Sequence, residues 1–487
     1  MEIPGQVLNW IDGQERPASG GGWVDKLDPA TGQRQSQLAR SGSEDVAAAV
    51  AGAVRAQPAW ARTPGVRRGE ILYDVAAAMK AEREALARVV ARETGKSFKL
   101  ALGETDGAIQ LALFFAGEGQ RLFGRTTTSG VANRSVMTLR CPLGVAGLIM
   151  AANTPIANVA WKVFPALICG NAAVTKPPED APATAWAFSR IAHRAGLPPG
   201  LVQVVQGLGA EAGEPLVDHP QVPVVSFTGS TAVGRRIAVK VGERMGRVSL
   251  ELGGKNALVV CDDADLDNAV KWALLSAFSN AGQRCAAGSR IVVLDAVYDE
   301  FRDRLVARTK ALKVGTGDDD DLGPVINARQ LAGILAAVER AVAGGGRLLC
   351  GGQRLTGAAW QGGYYVAPTV IEGVGPHDEL STKEVFGPVT CLYRVRDFAE
   401  ALALANDSPY GLTASIHTAS VHRAWQFVEQ VQTGVVMVNA GTFGSEPHMP
   451  FGGLKHSGNG TREPGTEALD VYSSLKNVFL TTDPARL

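Results

Sequence analysis

The chain has 487 residues, 46% hydrophobic and 20% charged, with Lys+Arg and Asp+Glu at 48 each and a net charge of +0. That length exceeds one ordinary core and predicts a soluble globular protein of two or three domains. The even balance leaves no basic footprint for nucleic acid or anionic lipid. The six cysteines, scattered without a C-x-x-C, exclude a disulfide framework and predict reduced thiols in the cytoplasm.

No basic region followed by an apolar run opens the chain, so no signal peptide is expected. Glu44 to Ala61 and Val66 to Thr94 carry apolar residues at helical spacing and predict two long amphipathic helices. The Thr-rich stretch Arg125 to Leu139 alternates and reads as an extended arm or hairpin. Cys141 to Trp161 holds no charge and is long enough to span a bilayer. Its prolines, glycines and asparagines instead break it into a buried strand, Val145 to Met150, a turn, and a helix over Asn158 to Leu167.

Strands follow at Ala172 to Lys176, Leu201 to Val205 and Pro223 to Phe227, with a helix over Pro182 to Ala195. This rhythm predicts a doubly wound α/β sheet. After Gly254 a second α/β rhythm runs through a strand at Ile291 to Leu294 and helices at Val297 to Val314 and Ala328 to Gly344. Asp318 to Asp321 lacks the glycine and distal glutamate of a calcium loop and reads as a solvated turn. The seven histidines show no metal-ligand spacing, and no metal is expected. Asp470 to Thr482 alternates as a strand would.

Three segments carry chemistry. Cys285 sits among small residues in Asn280-Ala281-Gly282-Gln283-Arg284-Cys285-Ala286-Ala287-Gly288, which leaves its sulfur open to a substrate. Glu251, flanked by leucines before Gly253-Gly254, is placed for partial desolvation, which lifts a carboxyl toward the range of a general base. A thiolate nucleophile and a carboxylate that activates water suit covalent acyl transfer. Thr228-Gly229-Ser230-Thr231-Ala232-Val233-Gly234 follows a strand and opens a helix, where backbone N–H groups approach a pyrophosphate. Its spacing is G-x-x-x-x-G, and it lacks the lysine of a P-loop.

Together these segments resemble the NAD(P)-dependent aldehyde dehydrogenase superfamily, of the hydrolytic type, in family order from about Asn9 to Thr482. The resemblance implies an α/β fold: a Rossmann-like NAD-binding domain over 1–124 and 142–253, an α/β catalytic domain over 254–469, and a small β oligomerisation arm over 125–141 and 470–487. It implies Cys285 as nucleophile, Glu251 as general base, the Asn153 amide as oxyanion donor, and Lys162 with Glu463 as a proton relay, for which a structural salt bridge is the competing reading. Lys176 and Glu179 would hold the adenosine ribose, Gly229, Ser230, Val233 and Gly234 the pyrophosphate, and Glu384 and Phe386 the nicotinamide end. A carboxylate at Glu179 disfavours a 2′-phosphate, so NAD is preferred, with NADP possible.

The family's usual Pro-Trp before the catalytic amide is replaced by Ala151-Ala152, which widens that side of the pocket. Pocket candidates are Thr154, Ala157, Trp161, Arg284, Ala286, Phe443 and Phe451. Arg284 stands where relatives acting on carboxylated semialdehydes have an arginine, and a guanidinium holds a carboxylate bidentately. A salt bridge for Arg284 and an aromatic-aldehyde pocket are the alternatives. A CoA-acylating enzyme would lack Glu251, a cysteine hydrolase would need a histidine partner, and a non-catalytic scaffold would not keep Cys285, Asn153, Glu251 and Glu384 together. Relatives are homodimers or homotetramers, and the arm predicts at least a dimer.

Overall fold

The computed structural model describes residues 1–486. A seven-stranded sheet organises the first half, in the order Arg247–Glu251, Val224–Thr228, Val145–Ile149, Ala172–Lys176, Val202–Val204, then Asn9–Ile11 and Gln14–Arg16. The first five pair in parallel and are almost wholly buried, as strands covered on both faces must be. The last two add an antiparallel edge.

Chain order reverses between Val145–Ile149 and Val224–Thr228, so a crevice opens at the carboxyl ends of those neighbours. Helices Ser43–Arg62, Gly65–Ala81, Arg83–Thr94, Phe98–Gly117, Pro155–Ile168 and Pro182–Arg194 pack around this sheet in one core.

The second seven-stranded sheet runs Arg347–Cys350, Thr369–Glu372, Val389–Val395, Gly288–Leu294, Asn256–Val260, Thr413–His417, Val435–Val438, all parallel except at the first pair. It has its own cores, and the chain passes from one sheet to the other between Glu251 and Asn256. A three-stranded antiparallel sheet forms the arm: Ser473–Thr481 pairs along Arg134–Pro142, and Thr126–Thr128 adds a third strand.

Several expectations are refined. Val66 to Thr94 is two helices, because Glu82 leaves the helical region at φ −102° and ψ 19°. The helix expected from Asn158 begins at Pro155, whose missing N–H costs nothing in a first turn. The tail is helical over Ala468–Tyr472 before its strand, and those residues pack into the first core. The charge-free stretch Cys141 to Trp161 is a buried strand, a turn and a helix start, and among the described residues no helix is long and apolar enough to cross a membrane.

Candidate active site

Two cavities meet at Cys285. One, of about 380 Å³, lies in the crevice of the first sheet and is lined by Ala152, Gly229, Ser230, Glu251, Glu384 and Phe386. The other, of about 620 Å³, is lined by Lys99, Gly103, Gly107, Arg284, Phe443 and Ser445. Both share Asn153, Thr154, Ala157, Trp161, Cys285 and Phe451. Cys285 is therefore the wall between two approaches.

The Cys285 loop is held by several partners. Asn280 and Ala281 take left-handed φ values of 56° and 53°, followed by Gly282 at 67°. A non-glycine residue there costs about 1–2 kcal/mol, so the loop must be pinned elsewhere. Asn280 donates from Nδ2 to the Asn153 carbonyl at 3.1 Å, and Gln283 accepts the Ile326 N–H at 2.9 Å. Asn256 donates to the Cys285 and Ala287 carbonyls at 2.8 and 2.9 Å and accepts the Thr413 N–H at 3.0 Å. The Asn153 carbonyl also accepts Lys96 Nζ at 2.8 Å, which leaves its side-chain amide facing both cavities.

Burial, then the Glu384 and Glu251 carboxyls, push Cys285 up to about 12. Glu251 is buried, and neither carboxyl oxygen has a hydrogen-bond partner. Burial, then the neighbouring Glu463 carboxyl, hold it well above the usual carboxylate range. An orphaned buried carboxyl is costly unless something in the cavity uses it.

Behind it lies a sealed cluster. Lys162 Nζ donates to Glu463 Oε2 at 2.8 Å and to Ser226 Oγ at 2.6 Å. Glu463 Oε1 accepts Ser226 Oγ at 2.7 Å, Ser249 Oγ at 3.1 Å and the Tyr472 hydroxyl at 3.3 Å.

The first cavity fits a dinucleotide. Gly229 turns the chain into helix Thr231–Glu243, capped by Ser230, and a Cβ on Gly229 would stand 2.5 Å from the Phe227 ring. A Cβ on Gly234 would meet Leu252 at 2.5 Å, so both glycines are fixed by close approach. Glu384 is half-buried and accepts the Gly254 N–H at 3.2 Å, and desolvation pushes it up to about 7. Phe386, at φ 57°, is held in its left-handed conformation by Gln330, which donates to the Val385 and Phe386 carbonyls at 2.7 and 3.0 Å. Lys176 Nζ meets Glu179 Oε2 at 3.1 Å; burial pushes this carboxyl up, and Lys176 with the hydrogen bonds outweighs it, leaving it below the usual range. Lys176, Glu179, Val233 and Gly234 do not line this cavity. Lys176 and Gly234 are buried, Glu179 half-buried and Val233 partly exposed.

On the other side, Arg284 stacks over Phe443 at 4.8 Å and donates from Nε to Ser279 Oγ at 3.3 Å. It pairs with no carboxylate among the described residues, which overturns the structural salt-bridge alternative. Trp161 packs edge-on against Phe451 at 5.1 Å.

Residues 16–478 match the model of the aldehyde dehydrogenase family. The chain belongs to that family. It is similar to the alpha-ketoglutaric semialdehyde dehydrogenase of Bacillus subtilis, with 37% identity over 97% of this chain and 98% of the relative. The NADP(+) succinate-semialdehyde dehydrogenase of Escherichia coli is 36% identical over 96% of each chain. Betaine aldehyde dehydrogenase of Staphylococcus aureus, solved in complex with NAD+, superposes with a TM-score of 0.95 at 31% identity, covering 98% of this chain and 95% of that one. As an aldehyde dehydrogenase, the protein has the α/β fold the sequence implied.

Sequence reasoning passed over Asn256, Asn280 and Gln330, which hold the reactive loop and Phe386. It also passed over helix Phe98–Gly117 as a cavity wall. Asn280 lies inside the Cys285 segment and Asn256 just after the Glu251 segment, so both were in view, while Gln330 is far from Glu384 in the chain and gave no signal. The helix gave none, because Gly103 and Gly107 interrupt its periodicity.

Proposed function

We propose that this aldehyde dehydrogenase oxidises a carboxylated semialdehyde with NAD and releases the free acid by hydrolysis. The observation that carries the reading is the meeting of two cavities at Cys285, with the unpartnered Glu251 carboxyl in one and the unpaired Arg284 guanidinium in the other. A bound nicotinamide dinucleotide supplies the two-electron acceptor. Gly229 and Ser230 at the start of helix Thr231–Glu243 would hold its pyrophosphate with Val233 and Gly234, Lys176 and Glu179 its adenosine ribose, and Glu384 and Phe386 its nicotinamide end.

Glu251, in the same cavity, takes the Cys285 thiol proton and passes it to water, and the sulfur adds to the aldehyde carbon. The Asn153 amide and the Cys285 backbone N–H receive the oxyanion; one such donor is worth about 2.7–4 kcal/mol in a transition state. After oxidation to the thioester, Glu251 takes a proton from water as the water oxygen attacks the acyl carbon, and the sulfur leaves. Glu463 and Lys162 set the charge beside Glu251. The orphaned Glu251 oxygens favour water over CoA as acyl acceptor, since an acylating enzyme has no use for a buried base.

For the substrate, the curated relatives act on semialdehydes by name, and the Arg284 terminal nitrogens are free to take a carboxylate. Losing a charged bidentate contact costs about 1.5–3 kcal/mol. Arg284→Ala should therefore lower kcat/KM for succinate semialdehyde by roughly 10- to 100-fold and leave benzaldehyde unchanged. Equal loss on both would sink the carboxylate reading, and benzaldehyde as the better wild-type substrate would favour the aromatic pocket.

The two large sheets and the arm sheet support the domain spans 1–124 with 142–253, 254–469, and the arm of 125–141 with 470–487, except that Ala468–Tyr472 packs with the first core. Leu139, Leu475, Phe479 and Leu480 are exposed on the arm, which supports at least a homodimer. Six free cysteines support a reducing, cytoplasmic setting.

A further inference from the structure

The cavity on the substrate side of Cys285 is larger than a short semialdehyde needs, and its walls carry charge that the chemistry above leaves unused. One wall is helix Phe98–Gly117. Lys99, Gly103 and Gly107 line the cavity from it at every fourth position, so they form one row over about 12 Å of helix. A Cβ built on Gly103 or Gly107 meets nothing within 4 Å. Neither glycine has the positive φ that would require it. Packing therefore does not demand glycine there, although glycine inside a helix weakens it. What the two residues do is leave a bare strip along the helix, beside Leu100, Glu104, Gln110 and Leu111, which line the same cavity.

Three cations border the cavity. Lys96 is neutralised by Glu104 at 2.6 Å, and Glu104 also accepts the Ile156 and Ala157 N–H groups at 3.0 and 3.3 Å. Arg284 spends only its Nε, on Ser279. Lys99 is exposed; its backbone N–H donates to the Asp318 carbonyl at 3.3 Å, while its ammonium has no carboxylate or hydrogen-bond partner among the described residues. Glu104 also attracts Arg284 electrostatically, so the cavity keeps an excess of positive charge, carried by Arg284, half-buried beside Cys285, and by Lys99 at the rim. A single carboxylate answers only one of them.

We propose that the substrate is an aldehyde bearing two acidic groups, one held by Arg284 and the other by Lys99, with the connecting chain lying over Gly103 and Gly107. This rests on the role of Arg284 proposed above and adds Lys99 as a specificity-determining residue.

The test needs neither cofactor nor turnover. Alkylation of Cys285 by iodoacetamide, followed by mass spectrometry of its peptide, is measured with glutarate, adipate or suberate and with the matching monocarboxylates pentanoate, hexanoate and octanoate. An exposed ion pair is worth a few-fold in affinity, so at least one dicarboxylate should protect at concentrations about two- to fivefold lower than its monocarboxylate. Lys99→Gln should erase that difference, and Arg284→Gln should remove protection by both. Gly107→Leu places a good helix former in open space, so the thermal midpoint should hold or rise while protection by the longer dicarboxylates is lost. Equal protection by both ligand classes, or a dicarboxylate preference that survives Lys99→Gln, would overturn the proposal. Absence of NAD reduction with every aldehyde would count against the dehydrogenase reading while leaving this binding result standing, so the two failures are distinguishable.

Discussion

Lys162→Met should destabilise the protein. Lys162 and Glu463 are both buried, their charged atoms 2.8 Å apart. At an effective dielectric of 20, a pair at that distance is worth about 6 kcal/mol. The loss falls short of that figure, because the lysine no longer has to be dehydrated and Ser226, Ser249 and Tyr472 still surround the carboxyl. The expected loss is about 3 kcal/mol, the low end of what stranding one partner of a buried pair costs. Adding Glu463→Gln should recover most of it, since the amide needs no counter-charge. Urea unfolding followed by tryptophan fluorescence at pH 7 reads this as shifts in apparent midpoint. A single variant as stable as wild type at pH 7, or a double variant no better than the single, would refute a buried ion pair that matters to the fold.

Other outcomes follow from the same geometry. Glu251→Gln should form thioester but release it slowly, so nicotinamide reduction shows a single burst and the acyl adduct on Cys285 is seen by intact mass. Glu384 is pushed up to about 7, so it is charged only above that pH, where its negative charge opposes the Cys285 thiolate. Glu384→Gln should therefore speed iodoacetamide alkylation above pH 7 and leave it unchanged below; equal effects at both ends would show that burial alone holds the thiol. A Cβ on Gly253 would stand 2.2 Å from the Glu384 carboxylate, so Gly253→Ala should weaken NAD binding in calorimetry while Cys285 still alkylates. Glu179→Gln removes the charge that repels a 2′-phosphate, and the ratio of NADP to NAD turnover should rise.

Much of the architecture was legible because buried parallel strands write themselves as apolar runs. Val145 to Met150, Ala172 to Lys176 and Pro223 to Phe227 all fall on strands of the first sheet, and the turn after Phe227 is where its crevice opens. Cys285 and Glu251 were legible as a pair because their two segments together resemble those of the aldehyde dehydrogenases; small residues around a thiol, or leucines around a carboxyl, say little alone. The break at Glu82 was not, since it involves neither glycine nor proline and depends on packing between two helices. The edge strands Asn9–Ile11 and Gln14–Arg16 are too short to show a period. The cluster of Lys162, Ser226, Ser249 and Glu463 joins residues more than 200 positions apart, and only the fold brings them together. Lys99 carries no signal of its own in the sequence, and it becomes informative only once helix Phe98–Gly117 is seen to border the cavity.

The central claim is that Cys285 carries an NAD-dependent aldehyde oxidation completed by water. Nicotinamide reduction by the purified protein, with NAD and NADP against succinate semialdehyde, benzaldehyde and a short aliphatic aldehyde, with and without CoA, tests it directly when Cys285→Ala is run beside the wild type. The account predicts NAD reduction without CoA, fastest with the acidic aldehyde and absent in the variant. Reduction that requires CoA, or that survives Cys285→Ala, would contradict it.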